Sequence, residues 1–338
     1  MEDAMKNKVI FRLFAAAVLC AAVMSVTGCS SRNAAAQEVQ QRLQLPVPSS
    51  GAKSLVYMTN SITPEGLMAV YEALGLEAGG NVAVKISTGE PGNTHFLAPS
   101  LIKDLVQRVK GTIVECNTAY GGRRANTAAH YQVARDHGFT AIAPVVIMDE
   151  RADASIPVSG GKHLKEDIVG ARFSEFDFHI VLSHFKGHQM GGFGGALKNM
   201  SIGYASSAGK AWIHTAGRSK TSMAGGVQNN FLESMAEAAK AVADANRGKI
   251  LYINVMNHLS VDCDCSGRPA APTMADIGIL ASLDPVALDQ ACVDLVYAAK
   301  DSRDLIQRIE SRNGLLTINH AELIGLGSKS YQLIKIGG

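Results

Sequence analysis

Short apolar segments alternate with helix-like segments from residue 54 onward, and this alternation limits the possible folds more than any other feature of the chain. The predicted strands are residues 54–59, 81–88, 112–116, 143–149, 176–184, 249–256 and 277–283. The predicted helices are residues 63–75, 100–109, 124–137, 229–248 and 284–299. Strands that alternate with helices favour a mostly parallel sheet covered by helices on both faces. We therefore predict a single α/β domain over residues 51–338.

Polar, glycine-rich loops follow four of these strands, at residues 88–95, 117–124, 184–195 and 257–269. Ligands of parallel α/β sheets bind at the carboxyl ends of the strands. We therefore expect the four loops to meet around one active or binding site.

The first fifty residues have a different character. Lys6, Lys8 and Arg12 precede a run of about fourteen residues that are mainly apolar and too few to span a bilayer comfortably. The run ends in "VTGC", which resembles a bacterial lipobox. We predict a lipoprotein-type signal peptide at residues 1–29, lipidation at Cys29 and a flexible tether at residues 30–50. The alternative is an ordinary signal peptide with an incidental cysteine.

These features predict an exported bacterial lipoprotein that is anchored in a membrane of the cell envelope. The net charge of +2 gives no electrostatic case for nucleic acid, and the 6% content of aromatic residues offers few stacking platforms for bases, so we expect no nucleic-acid partner. The expected partners are the membrane, through Cys29, and a small-molecule or anionic ligand.

Residues 183–203, "SHFKGHQMGGFGGALKNMSIG", combine histidines, lysines and six glycines, five of which lie within residues 187–195. His184 and His188 are expected at the carboxyl end of a strand. The glycines allow positive φ and close approach of the backbone to a ligand. If a helix begins at Ala196, its free N–H groups predict an anion site, to which Lys198 adds a charge. The alternative is a surface turn with incidental histidines.

Cys263 and Cys265 are separated by one residue, so they cannot easily bridge each other, but both can face one ion. Thiolates favour zinc, iron or nickel over magnesium or calcium. His184, His188 or His258 would have to complete such a site. The alternative is a pair of small, partly buried apolar side chains.

Further charged residues follow other strands. Lys85 and Glu90 belong to one loop region, and Arg123 and Arg124 stand beside glycines in another, which suits recognition of a carboxylate or phosphate. The alternative for a single arginine is a solvated surface charge. Cys116 and Cys292 lie in apolar runs and are expected to be buried and inert.

Five stretches together resemble the domain of unknown function 362 family. They are "VKISTGEPGNTHFLAP", "YGGRRANTAAHYQVARDHGF", "LSHFKGHQMGGFGGALKN", "CDC" and "DIGILASLDPVALDQACVDLV". Many members of that family carry an inserted ferredoxin-like module with two four-iron clusters after the position of His214. Residues 215–230 contain no cysteine, so we expect no four-iron clusters here.

His188, Lys198 and His214 in their "GFGG…K" context also resemble, more distantly, the N-terminal domain of the nickel-pincer lactate racemase family. This resemblance implies that Lys198 anchors a pyridinium-type cofactor and that His188 and His214 lie near the metal or the substrate.

Two classes of function follow from these patterns. The first is a metal- or cofactor-dependent enzyme, of oxidoreductase or isomerase type, that acts on a small oxygenated substrate. The second is a lipoprotein that binds a metal or anion without turnover; a scaffold that has lost its activity is a third interpretation. The predicted catalytic residues are His188, Lys198 and His214; the predicted cofactor-binding residues are Gly191, Gly192, Gly194, Gly195, Lys85, Glu90, Arg123 and Arg124; the predicted metal ligands are Cys263, Cys265 and His184.

Overall fold

Strands and α-helices follow one another along residues 53–337, the part of the chain that the computed structural model describes. The predicted signal peptide, Cys29 and the tether lie outside these residues. The strands are β1 (Ser54–Thr59), β2 (Val82–Lys85), β3 (Thr112–Glu115), β4 (Val145–Ile147), β5 (Asp153–Pro157), β6 (Glu166–Gly170), β7 (Phe178–His184), β8 (Lys186–His188), β9 (Gly192–Gly194), β10 (Ile250–Met256), β11 (Gly278–Ser282) and β12 (Tyr331–Lys335).

The α-helices are α1 (Pro64–Ala73), α2 (Pro99–Arg108), α3 (Thr127–Asp136), α4 (Ala196–Ser201), α5 (Ser207–His214), α6 (Gln228–Ala245), α7 (Pro285–Ala298), α8 (Arg303–Ser311) and α9 (Leu315–Leu323). Two of them begin as their sequences predict. The Thr63 side chain accepts a hydrogen bond from the Gly66 N–H ahead of Pro64, and Asp284 caps α7 in the same way ahead of Pro285. None of the helices among the described residues combines the length and apolar character needed to cross a bilayer.

The main sheet has eight strands in the order β12-β1-β11-β10-β7-β2-β3-β4. All neighbouring pairs are parallel except those of β11, which runs antiparallel to both β1 and β10. From β2 the chain winds outward through β3 and β4, whereas β7 and β10 lie on the other side of β2. The winding direction therefore reverses between β2 and β7, which is where open α/β sheets form a ligand crevice.

Helices cover both faces of this sheet, because its central strands are apolar on both sides. Val82 and Val84 of β2 pack in one apolar layer with residues of α1 and α2. Ala83 packs in the opposite layer, to which α4, α6 and α7 contribute. The prediction of a mostly parallel α/β domain covered on both faces is confirmed.

The sequence pattern missed the shorter elements. Two small antiparallel sheets, β5–β6 and β8–β9, and the edge strand β12 lie outside the predicted strands. β8 and β9 have three residues each and are rich in glycine, so their strand conformation comes from pairing with each other and not from apolar alternation.

Candidate functional site

A cavity of about 360 Å³ opens at the carboxyl ends of β2 and β7, in the crevice where the winding of the sheet reverses. Three of the four loops that the sequence predicts to converge line it directly, through residues such as Tyr120, His188 and Cys265. The fourth loop contributes indirectly, because Glu90 bonds Tyr120 and Arg124 in the cavity wall. The loops therefore meet at one edge of the sheet.

Asn199 joins the two strands that flank the crevice. Its Nδ2 group donates to the carbonyl oxygens of Lys85, at 3.1 Å, and Leu182, at 3.2 Å, and its Oδ1 atom accepts from the Lys85 ammonium. A buried backbone carbonyl requires a hydrogen-bond donor, and Asn199 supplies one to each of these two. One buried amide thus holds the floor of the cavity together.

His188 is buried at the end of β8 and lines the cavity. Its Nδ1 atom accepts a hydrogen bond of 2.8 Å from the Gly191 N–H, so the neutral ring carries its proton on Nε2. Burial, followed by the nearby positive charge of Lys198, holds the pKa of His188 well below its usual value. His188 is therefore a neutral hydrogen-bond donor toward a ligand.

His214 ends α5 and has the opposite tautomer. Its Nδ1–H donates to the Lys210 carbonyl at 2.6 Å, which leaves the lone pair of Nε2 as the free acceptor of the neutral ring. The ring stacks on Phe231 with centroids 4.4 Å apart, and burial lowers its pKa to about 4. The cavity thus contains one imidazole that donates and one that accepts.

Lys198 projects from α4 into the same cavity. Within the described part of the chain, no hydrogen bond or ion pair engages its ammonium group, and burial together with the positive charges of Lys85 and Arg124 lowers its pKa to about 8. An unpaired amine with a lowered pKa can bind an anion when protonated and act as a nucleophile when neutral.

Lys85, Glu90 and Arg124 belong to a buried ion network in the cavity wall. Glu115 lies at its centre, 3.1 Å from both the Lys85 ammonium and the Arg124 guanidinium. Burial would raise the pKa of Glu115, but these two cations outweigh it and lower that pKa to about 2. Arg124 also bonds Glu90 at 2.9 Å and the Tyr120 hydroxyl at 2.9 Å. The network fixes the wall, since most of its charges are already paired.

Arg123, predicted beside Arg124, is exposed and lies outside the cavity lining. The short 3-10 turn Arg123–Ala125 turns only Arg124 inward. Among the predicted glycines, Gly194 and Gly195 line the cavity, whereas Gly191 and Gly192 do not. Gly192 has φ +81° and so serves the tight β8–β9 turn and not a ligand.

The anion site predicted at the first turn of α4 is already occupied by the protein. The Asp289 carboxylate accepts hydrogen bonds from the Ala196 N–H at 2.8 Å and the Leu197 N–H at 2.9 Å. A side chain at Gly195 would collide with this carboxylate. The prediction that these N–H groups bind an external anion is therefore wrong, because α7 supplies an internal one.

Cys263 and Cys265 form a disulfide in the cavity wall, which corrects the expectation that one intervening residue prevents a bridge. One ring nitrogen of His188 and the two sulfur atoms lie within 4.8 Å of one another, so the trio is a potential metal-binding group. The oxidised trio does not fit a metal ion, because its sulfurs are bonded to each other and the neutral His188 ring uses Nδ1 as an acceptor from Gly191. Reduction of the disulfide would be needed to supply thiolates.

His184, predicted as a metal ligand, has both ring nitrogens engaged. Nδ1 lies 2.9 Å from Asp264 Oδ2 and Nε2 lies 2.7 Å from the Asn257 carbonyl oxygen. The Asp264 carboxylate also pairs with the Lys186 ammonium at 2.9 Å. His184 therefore binds Asp264, the residue between the two cysteines, and the histidine beside the two sulfurs is His188.

A family model described as "Domain of unknown function (DUF362)" matches residues 82–294. This chain belongs to the DUF362 family. The family predicted from the sequence is thereby confirmed, and the matched residues include the whole cavity lining.

Solved structures similar to this DUF362 protein include the lactate racemase apoprotein from Thermoanaerobacterium thermosaccharolyticum, at 15% identity and a TM-score of 0.39. The match covers 62% of this chain and 52% of that one. A protein from Thermotoga maritima matches at 16% identity and a TM-score of 0.36, over 62% of this chain and 53% of that one. The matches thus span about half of each solved chain. No curated protein matches this sequence.

Sequence reasoning missed three residues that shape this DUF362 site. Glu115 is a single acidic side chain at the end of an apolar strand and matches no motif. Asn199 ends the stretch "LSHFKGHQMGGFGGALKN", but no sequence pattern assigns it a role. The sequence shows Asp264 only as the residue between two cysteines, whereas in space its carboxylate pairs with His184 and Lys186. A buried charged residue at the end of a strand was the available signal for Glu115.

Proposed function

We propose that this protein is an enzyme that moves protons to and from a small, anionic, oxygenated substrate, in chemistry of the oxidoreductase or isomerase type. The observation that carries the proposal is the pair of cavity histidines with opposite tautomers, His188 and His214, beside the unpaired Lys198. Proton transfer at a substrate needs one group that accepts and one that donates.

The charges of the cavity support an anionic substrate. The lining includes the cations Lys85, Lys198, Lys210 and Arg124, but only the two carboxylates Glu115 and Asp264. Since Lys198 has no internal partner among the described residues, a substrate carboxylate can pair with it without displacing one.

Binding of such an anion would also change the basicity of His214. Without a ligand in the cavity, burial lowers the pKa of His214 to about 4, so the ring is neutral at pH 7. A negative charge close to the ring favours the protonated form and raises the pKa toward neutrality. His214 would then accept a proton through Nε2, while His188 donates through Nε2–H.

Lys198 fits a second role, as the attachment point of a cofactor. Its amine is unpaired within the described part of the chain, has a pKa lowered to about 8 and lies in the cavity wall between the loops. A pyridinium-type group held there would supply an electron sink for the substrate carbon. His188 and His214 would keep their roles in positioning the substrate and moving its proton.

Isotope exchange tests the proposal because it detects proton transfer whatever the final product is. The natively purified protein would be incubated in D₂O with a panel of small 2-hydroxy and 2-oxo carboxylates, and deuterium at carbon would be measured by NMR. We expect exchange that falls by about 10²–10⁴-fold in His214→Gln. His258→Gln is the matched control, because His258 lies outside the cavity lining. Exchange at the wild-type rate in His214→Gln contradicts the proposal.

A second candidate is a metal-binding protein without turnover. The observation that favours it is the trio His188, Cys263 and Cys265, whose potential ligand atoms lie within 4.8 Å of one another. Elemental analysis of protein purified under reducing conditions separates the two candidates. Metal binding without turnover is favoured if the wild type retains zinc, iron or nickel, if Cys265→Ser loses that metal, and if the wild type shows no isotope exchange.

We also propose that the protein is exported and anchored through a lipid on Cys29. The basic start, the short apolar run and the "VTGC" stretch support this. Metabolic labelling with a fatty acid followed by membrane fractionation would test it. Cys29→Ser is expected to abolish the label and Cys20→Ser, in the apolar run, to retain it. A label that survives in Cys29→Ser contradicts the assignment.

A further inference from the structure

The Cys263–Cys265 disulfide encloses very little of the chain. The two cysteines are separated by two positions in sequence, with Cα atoms 5.3 Å apart. A disulfide stabilises a fold mainly by restricting the unfolded chain, and this effect is smallest for the shortest loops. A bridge of this kind does little for the stability of the fold.

Other contacts already hold the segment that carries the bridge. The Asp264 carboxylate pairs with His184 and Lys186 at 2.9 Å each, and its carbonyl accepts from the Glu90 N–H at 2.9 Å. The Ser266 N–H donates to the Cys263 carbonyl at 3.1 Å. None of these bonds involves a sulfur atom, so they can persist when the disulfide is reduced.

The bridge is also accessible from the cavity. Both cysteines line it; Cys263 is 7% exposed and Cys265 is half-buried. The free cysteines of the described residues differ from this pair. The Cys116 thiol donates to the Tyr204 carbonyl and its pKa is raised by burial to about 12, and Cys292 is fully buried beneath the sheet.

We propose that Cys263–Cys265 is a redox-active disulfide that exchanges with small-molecule thiols entering the cavity. This activity goes beyond the acid–base function proposed above, although it uses the same cavity. Polar groups near the bridge favour this exchange. A ring nitrogen of His188 lies within 4.8 Å of both sulfurs, and the Lys198 ammonium, which has no partner among the described residues, lines the same cavity.

The exchange has two balanced steps. The thiolate of the first thiol attacks Sγ of Cys265, the more exposed of the two residues. The bond between the cysteines breaks, and Cys263 leaves as a thiolate that takes up the proton of the incoming thiol. The thiolate of a second thiol attacks the mixed disulfide and releases the oxidised small molecule, while Cys265 takes up the second proton. Two thiols are oxidised to one disulfide, and the protein cystine is reduced to two cysteines.

Differential alkylation of the folded, natively purified protein tests the proposal with reduced glutathione as the thiol. After incubation the sample is alkylated without denaturant and analysed by peptide mass spectrometry. We expect complete loss of the disulfide, with alkylation of Cys263 and Cys265 and none of Cys292. In Cys263→Ser, which has no bridge, the Cys265 thiolate should attack oxidised glutathione supplied instead of the reduced form. One reduced glutathione leaves and a glutathione adduct remains on Cys265, because no neighbouring cysteine displaces it; excess reduced glutathione should then remove the adduct.

Cys292→Ser serves as the matched control and should react as the wild type does. Two results would overturn the proposal: a disulfide that glutathione reduces only after denaturant is added, or equal alkylation of Cys292 and Cys265 in the folded protein. The first result can be read from the wild type alone, so it does not depend on whether a variant folds. The isotope-exchange assay measures proton transfer and the alkylation assay measures disulfide exchange. Either proposal can therefore fail without deciding the other.

Discussion

Asp264→Asn is expected to destabilise the protein far more than the same change two residues earlier. The Asp264 carboxylate is 4% exposed and pairs with His184 and Lys186, whose side chains are 2% and 1% exposed. Burial would raise the pKa of Asp264, but the two partners lower it well below its usual value. Asparagine keeps the shape of the side chain and removes the charge, so the Lys186 ammonium stays buried without a counter-ion.

Breaking a buried ion pair by removing one partner costs about 3–5 kcal/mol. We expect Asp264→Asn to lower the free energy of unfolding by that amount. Asp262→Asn is the control, because Asp262 pairs with Arg308 at 3.2 Å through side chains that are 16% and 22% exposed. A pair that water reaches contributes about 0–1 kcal/mol.

Guanidinium denaturation followed by circular dichroism at pH 7 would measure both variants. The two substitutions make the same chemical change in the same loop, so the difference between them isolates the burial of the ion pairs. Equal losses in the two variants, or a loss below about 1 kcal/mol for Asp264→Asn, would refute the assignment of Asp264 as the anchor of the cysteine segment.

Three further predictions concern buried polar groups. The pKa of Glu115 is lowered from 4.5 to about 2, so its carboxylate stabilises the fold above pH 4.5 and this stabilisation is lost as the pH falls toward 2. The urea midpoint of the wild type should therefore fall between pH 4.5 and pH 2, and that of Glu115→Gln should fall less over the same range. Burial raises the pKa of Asp167 from 3.8 to about 7, so the stability of the wild type falls as the pH rises from about 3.8 to about 7. By thermal denaturation, Asp167→Asn should be about 2 kcal/mol more stable than the wild type at pH 8 and no more stable at pH 4. Asn199→Leu removes the amide donor to the Lys85 and Leu182 carbonyls and the amide acceptor of the Lys85 ammonium, so it should lower the free energy of unfolding in urea by about 2–4 kcal/mol. A loss below about 0.5 kcal/mol would contradict its role at the crevice.

Much of the fold followed from local patterns. The apolar runs of β2, β7 and β10 are buried on both faces, so their composition alone indicates central strands of a covered parallel sheet. Thr63 and Asp284 mark the starts of α1 and α7, because capping depends on residues within one turn. The edge strand β12 is half exposed, and its conformation comes from pairing with β1, which is distant in sequence.

The candidate site divides in the same way. Strand ends and glycine loops predict that His188 and Lys198 lie near one edge of the sheet, and the structure brings both together with His214 in the cavity lining. Their chemical roles depend on hydrogen bonds that spacing does not encode. The tautomer of His188 follows from the Gly191 N–H, and that of His214 follows from the Lys210 carbonyl.

The sequence by itself determined the α/β class, the family and the loops that form the cavity, because each of these depends on residue type and short-range order. Only the tertiary structure decided which charges remain unpaired. Asp289 fills the first turn of α4 from 93 positions away, Asp264 binds His184 across 80, and Lys198 is left facing the cavity without a partner among the described residues. The pairing of buried charges is decided by distances of a few ångströms in space, where the Coulomb and desolvation energies are large.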